Sequence, residues 1–313
     1  MADGSTKVVL AALAGNVAIA IAKFGAFAIS GSSAMLTEAI HSLVDTADQL
    51  LLLVGEKRSR LKPDEVHPLG HGGEAYFWSF IVALMVFLVG GLLSMGSGVR
   101  HILRPTELGS PLLGYGVLAA AAVFDGLSFV VGYREYKRLV RGRSSDGRRV
   151  TLVRFIRLSK DPNLFATLLE DTAGIVGVVL AALGLFGATT LGLKWADGAA
   201  SIAIGLLLIG VAIIMANETR SLIAGEGVVK PVLERLQQVL AADGRIAAVE
   251  DISTRHLGPK EVMVALTLSF RRGMTTAAIE TTVRDLTAAL KKAEPRVACV
   301  YVRPPKKAHS KSG

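Results

Sequence analysis

The sequence predicts an α-helical integral membrane protein with six transmembrane helices, followed by a small cytoplasmic α+β domain of the ferredoxin-like class. Two observations lead to this fold class. Hydrophobic residues make up 51% of the 313 residues, and they are gathered in long runs over the first two thirds of the chain, as is typical of membrane spans. Beyond residue 217 these runs give way to short amphipathic segments.

Six apolar segments are each long enough to cross a hydrocarbon core of about 30 Å at about 1.5 Å per helical residue. They comprise residues 8–30, 34–54, 76–97, 112–132, 164–186 and 196–216. Tyr76, Phe77 and Trp78 open the third segment, and Trp195 precedes the sixth. Aromatic residues at these positions are expected at the membrane interface.

The basic residues predict the orientation of the segments. Fourteen Lys and Arg residues follow the second and fourth segments, against three in the opposite loops. Because short basic loops stay in the cytoplasm, both termini of a six-span chain are expected on the cytoplasmic side. The membrane itself is expected to be the inner membrane of a bacterium. These loops account for the net charge of +9, so nucleic-acid binding is not expected. The single cysteine, Cys299, excludes an internal disulfide.

The residues after 217 predict a small soluble domain. Their periodicity predicts, in order, a helix, two strands, a helix and a strand over residues 230–242, 247–256, 261–270, 275–292 and 297–302. This order suggests a ferredoxin-like sheet with helices on one face. We therefore divide the chain into a six-helix transmembrane domain at residues 1–217, a cytoplasmic domain at 218–304 and a basic disordered tail at 305–313.

The second segment carries four ionisable residues, Glu38, His41, Asp45 and Asp48. Their spacings of three, four and three residues place them on one helix face. Ionisable groups at membrane depth are costly and commonly line an ion path. His41 and Asp45 could hold one metal ion through an imidazole and a carboxylate. For Glu38 and Asp48 a proton path and a polar face packed inside a bundle are both open.

The fifth segment contains two adjacent acids, Glu170 and Asp171. Because two carboxylates in an apolar run are costly, at least one is expected to have a partner. The partner could be the ion held by His41 and Asp45. The alternative is an ion pair with a buried base such as Lys23 on the first segment.

Further polar residues are candidates for smaller roles. Asp64, His67 and His71 on a predicted cytoplasmic loop have the spacing of a second metal site, although loop histidines are often only solvated. Asp125 in the fourth segment could join a proton path or pair with Asn16 or Lys23 on the first segment. For Asp197, at the start of the sixth segment, a helix cap is the simpler interpretation.

Two classes of activity are not expected from the sequence. It contains no G-x-x-x-x-G-K-[ST] phosphate loop, and no grouping of side chains suggests a nucleophilic enzyme. An ion gradient is then the energy source for uphill transport, since buried His and Asp release protons when a metal binds. A passive metal channel and a membrane-anchored sensor that does not transport are the alternatives.

Several motifs resemble those of the cation diffusion facilitators, the zinc transporter family. Residues 33–45 (SAMLTEAIHSLVD) are similar to the second helix of that family with its HxxxD ligand pair. Residues 67–71 (HPLGH) resemble the loop that follows it. Residues 168–174 (LLEDTAG) resemble the fifth helix of the branch that includes zinc transporter nine of animals, and residues 255–259 (RHLGP) resemble the C-terminal domain.

The resemblance implies a homodimer that exchanges zinc, or else iron, cobalt or manganese, for protons by alternating access, with no resident cofactor. Carried over by position, His41, Asp45 and Asp171 are central ligands, and the loop residues Asp64, His67 and His71 match a peripheral site of some members. Thr167 stands where the usual fifth-helix pattern HxxxD has its histidine. The fourth central ligand is therefore open between Glu170, Thr167 and water.

The soluble domain departs from the family pattern in its last strand. Residues 300–303 (VYVR) contain neither His nor Asp, although ligands of the soluble-domain site usually come from this strand. The resemblance therefore implies dimerisation, rather than metal binding, as the role of this domain.

Overall fold

The computed structural model describes residues 2–104, 111–143 and 160–305. It divides into two compact units. Met1–Glu56 with Phe77–Arg220 form one, here named the helical unit, and Lys57–Tyr76 with Ser221–Gly313 form the other, here named the sheet unit. Most of the basic loop after the fourth predicted segment, residues 144–159, and the basic tail beyond residue 305 lie outside the described residues.

Long helices dominate the first two thirds of the chain. They are α1 Ala2–Ser30, α2 Ser33–Ser59, α3 Glu74–Met85, α4 Leu93–Leu103, α5 Pro111–Arg143, α6 Pro162–Thr189 and α7 Ala196–Ile223. A π-helical stretch, Val86–Leu92, joins α3 to α4 without a break. Pro111 and Pro162 stand at the first positions of α5 and α6, where proline has no helical hydrogen bond to lose.

Within the described ranges, three helices are long and apolar enough to cross a membrane, namely Glu74–Leu103, Leu164–Thr189 and Ala196–Ile223. Asn16–Ser30 of α1 and Gly114–Leu127 of α5 are shorter apolar stretches. The charged residues of α2 lower its hydropathy. The helical class is thus confirmed, three of the six predicted segments are candidate spans by their length and apolar composition, and the count of six spans stays a prediction.

Small residues bring α7 close to α4 and to the π-helical stretch that precedes α4. A Cβ atom on Gly98 would lie 2.5 Å from the carbonyl oxygen of Gly198, and one on Gly205 would lie 2.9 Å from that of Gly91. Apolar helices associate through such small-residue contacts. The hydroxyl of Ser201 on α7 adds a hydrogen bond of 3.0 Å to the carbonyl oxygen of Ser94.

Asp197 caps a helix, but the helix is α2 and not its own. Its carboxylate accepts hydrogen bonds from the backbone N–H groups of Ser33 (2.6 Å) and Ala34 (3.3 Å) and from the Ser33 hydroxyl (2.8 Å). The Ser32 hydroxyl also donates to it. A negative charge at a helix N-terminus satisfies free N–H groups and complements the helix dipole. The contact therefore ties the start of α7 to the start of α2.

The sheet unit contains the predicted order of elements. They are α8 Lys230–Ala242, β1 Ile246–Gly258, β2 Glu261–Phe270, α9 Thr276–Ala293 and β3 Val297–Arg303. The strand order is β1-β2-β3, with β1 antiparallel and β3 parallel to β2. Val264 and Leu266 of β2 pack in one buried cluster with Leu236 of α8 and Leu286 of α9. A ferredoxin-like β-α-β-β-α-β fold has one strand more, so that classification stays a prediction.

Candidate metal centre

The four ionisable residues of α2 share one face of the helix, as their spacing predicted, but their surroundings differ. Glu38, His41 and Asp48 are buried, whereas the side chain of Asp45 is 26% exposed. His41 Nδ1 lies 3.3 Å from Asp45 Oδ1. The predicted imidazole and carboxylate pair is therefore held together by one turn of helix.

Lys23 of α1 neutralises Glu38. The Lys23 ammonium donates a hydrogen bond of 3.0 Å to Glu38 Oε2, and both side chains are almost completely buried. A buried charge needs a paired partner of this kind. The ion pair favours the structural interpretation of Glu38, in which this residue belongs to a polar face packed inside the helix bundle. It also means that Lys23, which the sequence offered as a partner for Glu170 or Asp171, is paired with Glu38 instead.

Two glycines of α6 allow this helix to lie directly against the polar face of α2. A Cβ atom on Gly174 would lie 3.5 Å from His41 Nε2 and 3.3 Å from Asp125 Oδ2. On Gly177 it would lie 2.5 Å from Glu38 Oε1. A methyl group on Gly177 would overlap Glu38 Oε1, and one on Gly174 would lie in close contact with Asp125 and His41, so both glycines leave room for these polar groups.

A cavity of about 40 Å³ lies among the helices at this level. Its lining comes from α1, α2, α5 and α6, namely Asn16, Ile19, Ser42, Asp45, Gln49, Asp125, Thr167, Glu170 and Asp171. The volume exceeds the ~10–15 Å³ that one water needs, and it suffices for an ion with a ligand water. The predicted residues Asp45, Asp125, Thr167, Glu170 and Asp171 thus share one polar chamber.

Sequence reasoning did not assign Ser42 and Gln49 to this chamber, and it named Asn16 only as a partner for Asp125. Ser42 and Gln49 stand three residues before and four residues after Asp45, which places all three on one helix face. That spacing was a usable signal. The Asn16 contribution depends on how α1 packs and had no local signal.

Three carboxylates approach one another between α2 and α6. One oxygen from each of Asp45, Asp48 and Glu170 lies within 4.8 Å of the other two. The sequence placed Asp45 and Glu170 among the metal ligands and left Asp48 open between a proton path and a packed polar face. The structure joins them, because Asp48 follows Asp45 by three residues on the helix face that α6 covers. These oxygens suit a divalent cation.

The loop motif forms a separate cluster in the sheet unit. Asp64 Oδ1 accepts hydrogen bonds from the backbone N–H groups of Val66 (3.0 Å) and His67 (2.6 Å), and His71 Nε2 lies 3.0 Å from Asp64 Oδ2. His67 Nδ1 lies 3.4 Å from Asp64 Oδ1. The His67 N–H, and after it His71, lower the pKa of the Asp64 carboxyl. The ligand-capable atoms of Asp64, His67 and His71 all lie within 4.8 Å of one another, so the predicted loop residues could hold one ion.

A glycine connects this loop to the sheet of the same unit. A Cβ atom on Gly72 would lie 2.5 Å from the carbonyl oxygen of Leu257 and 2.9 Å from the Cα of Gly258. The end of β1 therefore rests directly on the chain that follows His71.

Long apolar helices around a chamber of carboxylates are typical of a helical membrane protein with an ion path. The profile described as the cation efflux transmembrane domain matches residues 9–224. The chain belongs to this family of metal cation efflux transporters, the cation diffusion facilitators, which confirms the family inferred from the motifs.

Three relatives of the chain are consistent with this family. The chain is 31% identical over 267 residues to the mouse protein named proton-coupled zinc antiporter SLC30A9, mitochondrial, an alignment that covers 85% of this chain and 46% of the relative. It is 28% identical over 255 residues to metal tolerance protein C4 of Arabidopsis thaliana, covering 82% and 55%. It is 30% identical over 226 residues to magnetosome protein MamM of Magnetospirillum gryphiswaldense, covering 70% and 64%. The chain spans about half the length of the first two relatives.

Proposed function

We propose that the protein is an antiporter that exports a divalent metal cation, zinc first and iron, cobalt or manganese after it, in exchange for protons. The observation that carries this proposal is the polar chamber around Asp45, Glu170 and Asp171, which lies between helices of a cation efflux domain. Carboxylates at that depth are retained where an ion must pass. A relative named as a proton-coupled zinc antiporter supports both the ion and its coupling.

In this proposal His41, Asp45 and Asp171 are the central ligands, as the family motif implies. His41 must be neutral and the carboxylates ionised to bind a metal, so metal entry releases protons. Conversely, protons that arrive from the other side of the membrane expel the metal. Asp125 borders the same chamber and is the candidate for passing protons. Glu38 is neutralised by Lys23 and shapes the site rather than binding the ion.

The remaining expectations complete the proposal. All six predicted segments, which correspond to α1, α2, α3 with α4, α5, α6 and α7, span the membrane, with both termini in the cytoplasm and the chain in the inner membrane of a bacterium. The ferredoxin-like domain forms the contact of a homodimer, and Asp64, His67 and His71 bind a peripheral metal ion. The protein has no enzymatic activity and no resident cofactor, and the metal is its cargo.

A flux assay in proteoliposomes tests this function. Vesicles that contain the purified full chain are given a panel of Zn²⁺, Fe²⁺, Co²⁺ and Mn²⁺ with and without an imposed pH gradient. We expect metal accumulation that rises with the gradient, together with counter-movement of protons. Flux that ignores the gradient would identify a passive channel. Metal binding without accumulation would identify a sensor.

A further inference from the structure

Asp48 is a buried acidic residue of α2. Its side chain is completely buried, and among the described residues neither of its carboxylate oxygens has a hydrogen-bond partner. Glu170 is 8% exposed, and its Oε1 also has no hydrogen-bond partner within the described ranges. Buried carboxylate oxygens are normally hydrogen-bonded, so each exception calls for a ligand or another explanation.

These two side chains meet each other and Asp45. One oxygen from each of the three carboxylates lies within 4.8 Å of the other two, a spacing that a single cation at ordinary metal–oxygen distances of about 2.0–2.6 Å can bridge. The Lys23 ammonium is already paired with Glu38. Three acids this close cannot all be ionised unless a bound cation compensates their charge; without one they must hold protons.

The donor set differs from that of the neighbouring His41 site. It offers carboxylate oxygens and no imidazole, and the adjoining chamber adds the neutral oxygens of Ser42, Gln49 and Thr167. Sites made only of oxygen suit harder cations such as Mn²⁺, whereas an imidazole shifts preference towards Zn²⁺. Asp45 belongs to both groups, since its Oδ1 is 3.3 Å from His41 Nδ1.

We propose that Asp45, Asp48 and Glu170 form a second, oxygen-only subsite for a divalent cation of the Mn²⁺ class, beside the His41 site and sharing Asp45 with it. The proposal rests on the transport function given above and adds a step to it. The ion passes between the two subsites through Asp45, and the carboxylate subsite sets how well harder cations are carried.

Binding of Mn²⁺ to the purified full chain in detergent tests the subsite. The starting protein carries His67→Ala and His71→Ala, so that the loop cluster does not contribute. Free Mn²⁺ is counted by electron paramagnetic resonance, and Zn²⁺ affinity is measured in parallel. We expect Asp48→Asn and Glu170→Gln each to weaken Mn²⁺ binding by at least about tenfold while Zn²⁺ affinity changes less than about threefold. His41→Ala should instead weaken Zn²⁺ binding by at least about tenfold and change Mn²⁺ affinity less than about threefold. The control variant Glu218→Gln removes a carboxylate from α7, which contributes no residue to the subsite, and should change neither the Mn²⁺ nor the Zn²⁺ affinity.

A second measurement needs no substitution within the subsite. Bound Mn²⁺ should show no ¹⁴N modulation in electron spin echo spectra, because no imidazole is among its ligands. Imidazole modulation, an unchanged Mn²⁺ affinity in Asp48→Asn and Glu170→Gln, or equal losses of Mn²⁺ and Zn²⁺ would each overturn the subsite. If the subsite binds Mn²⁺ as expected but no metal accumulates in vesicles, the transport proposal fails and the subsite stands. If metal accumulates but the binding pattern is absent, the subsite alone fails.

Discussion

The Lys23–Glu38 ion pair gives a sharp test of how the polar interior of the helical unit is held together. Its nitrogen and oxygen are 3.0 Å apart, and the two side chains are 1% and 0% exposed. Lys23→Met removes the cation and leaves a buried carboxylate without a counter-charge. Loss of one partner from a buried pair costs about 3–5 kcal/mol. We expect the free energy of unfolding to fall by that amount.

The double variant Lys23→Met with Glu38→Gln separates the pair from its parts. It removes both charges, and neutral replacement of a buried pair is often close to neutral in stability. The double variant should therefore recover most of the loss, so the sum of the losses in Lys23→Met and Glu38→Gln should exceed the loss in the double variant by at least about 3 kcal/mol. Lys194→Met, at an exposed lysine between α6 and α7, should change stability by less than about 0.5 kcal/mol.

The assay is reversible unfolding of the purified chain in mixed detergent micelles, followed by the fluorescence of Trp78 and Trp195. The same variants are checked for insertion and for elution as a single species. If the effects of the two single substitutions simply add, Lys23 and Glu38 do not stabilise each other, and the assignment of Glu38 to packing is wrong.

Three further outcomes are expected. His41→Ala or Asp45→Ala should lower metal flux in proteoliposomes by at least about tenfold while insertion is unchanged; near-normal flux would remove that residue from the central site. Glu170→Gln should reduce flux more than Thr167→Ala, because a hydroxyl is a poor ligand beside carboxylates; the opposite ranking would make Glu170 structural. Deletion of the chain after residue 224 should weaken the dimer, measured by sedimentation, more than it weakens metal binding to the helical unit, and equal losses would contradict the division of roles.

The sequence by itself determined the local features of this protein. Apolar runs placed the long helices, and the segment predicted at residues 34–54 is contained in α2, Ser33–Ser59. The spacing of His41 and Asp45 placed them one turn apart, because three to four residues per turn is a property of any α-helix. Likewise, alternation in β2 predicted its buried residues Val264 and Leu266. Such features depend on neighbours along the chain, and motifs built from them sufficed to identify the family.

Only the tertiary structure decided which buried charge meets which. Lys23 could have paired with several acids, and it pairs with Glu38, 15 residues away. Asp197 caps a helix that begins 164 residues before it. Asp48 joins Glu170 through the packing of α2 against α6. These contacts depend on the rotation and spacing of whole helices, which the small residues at their crossings set. Periodicity places a side chain on its own helix face but carries no information about the helix that faces it.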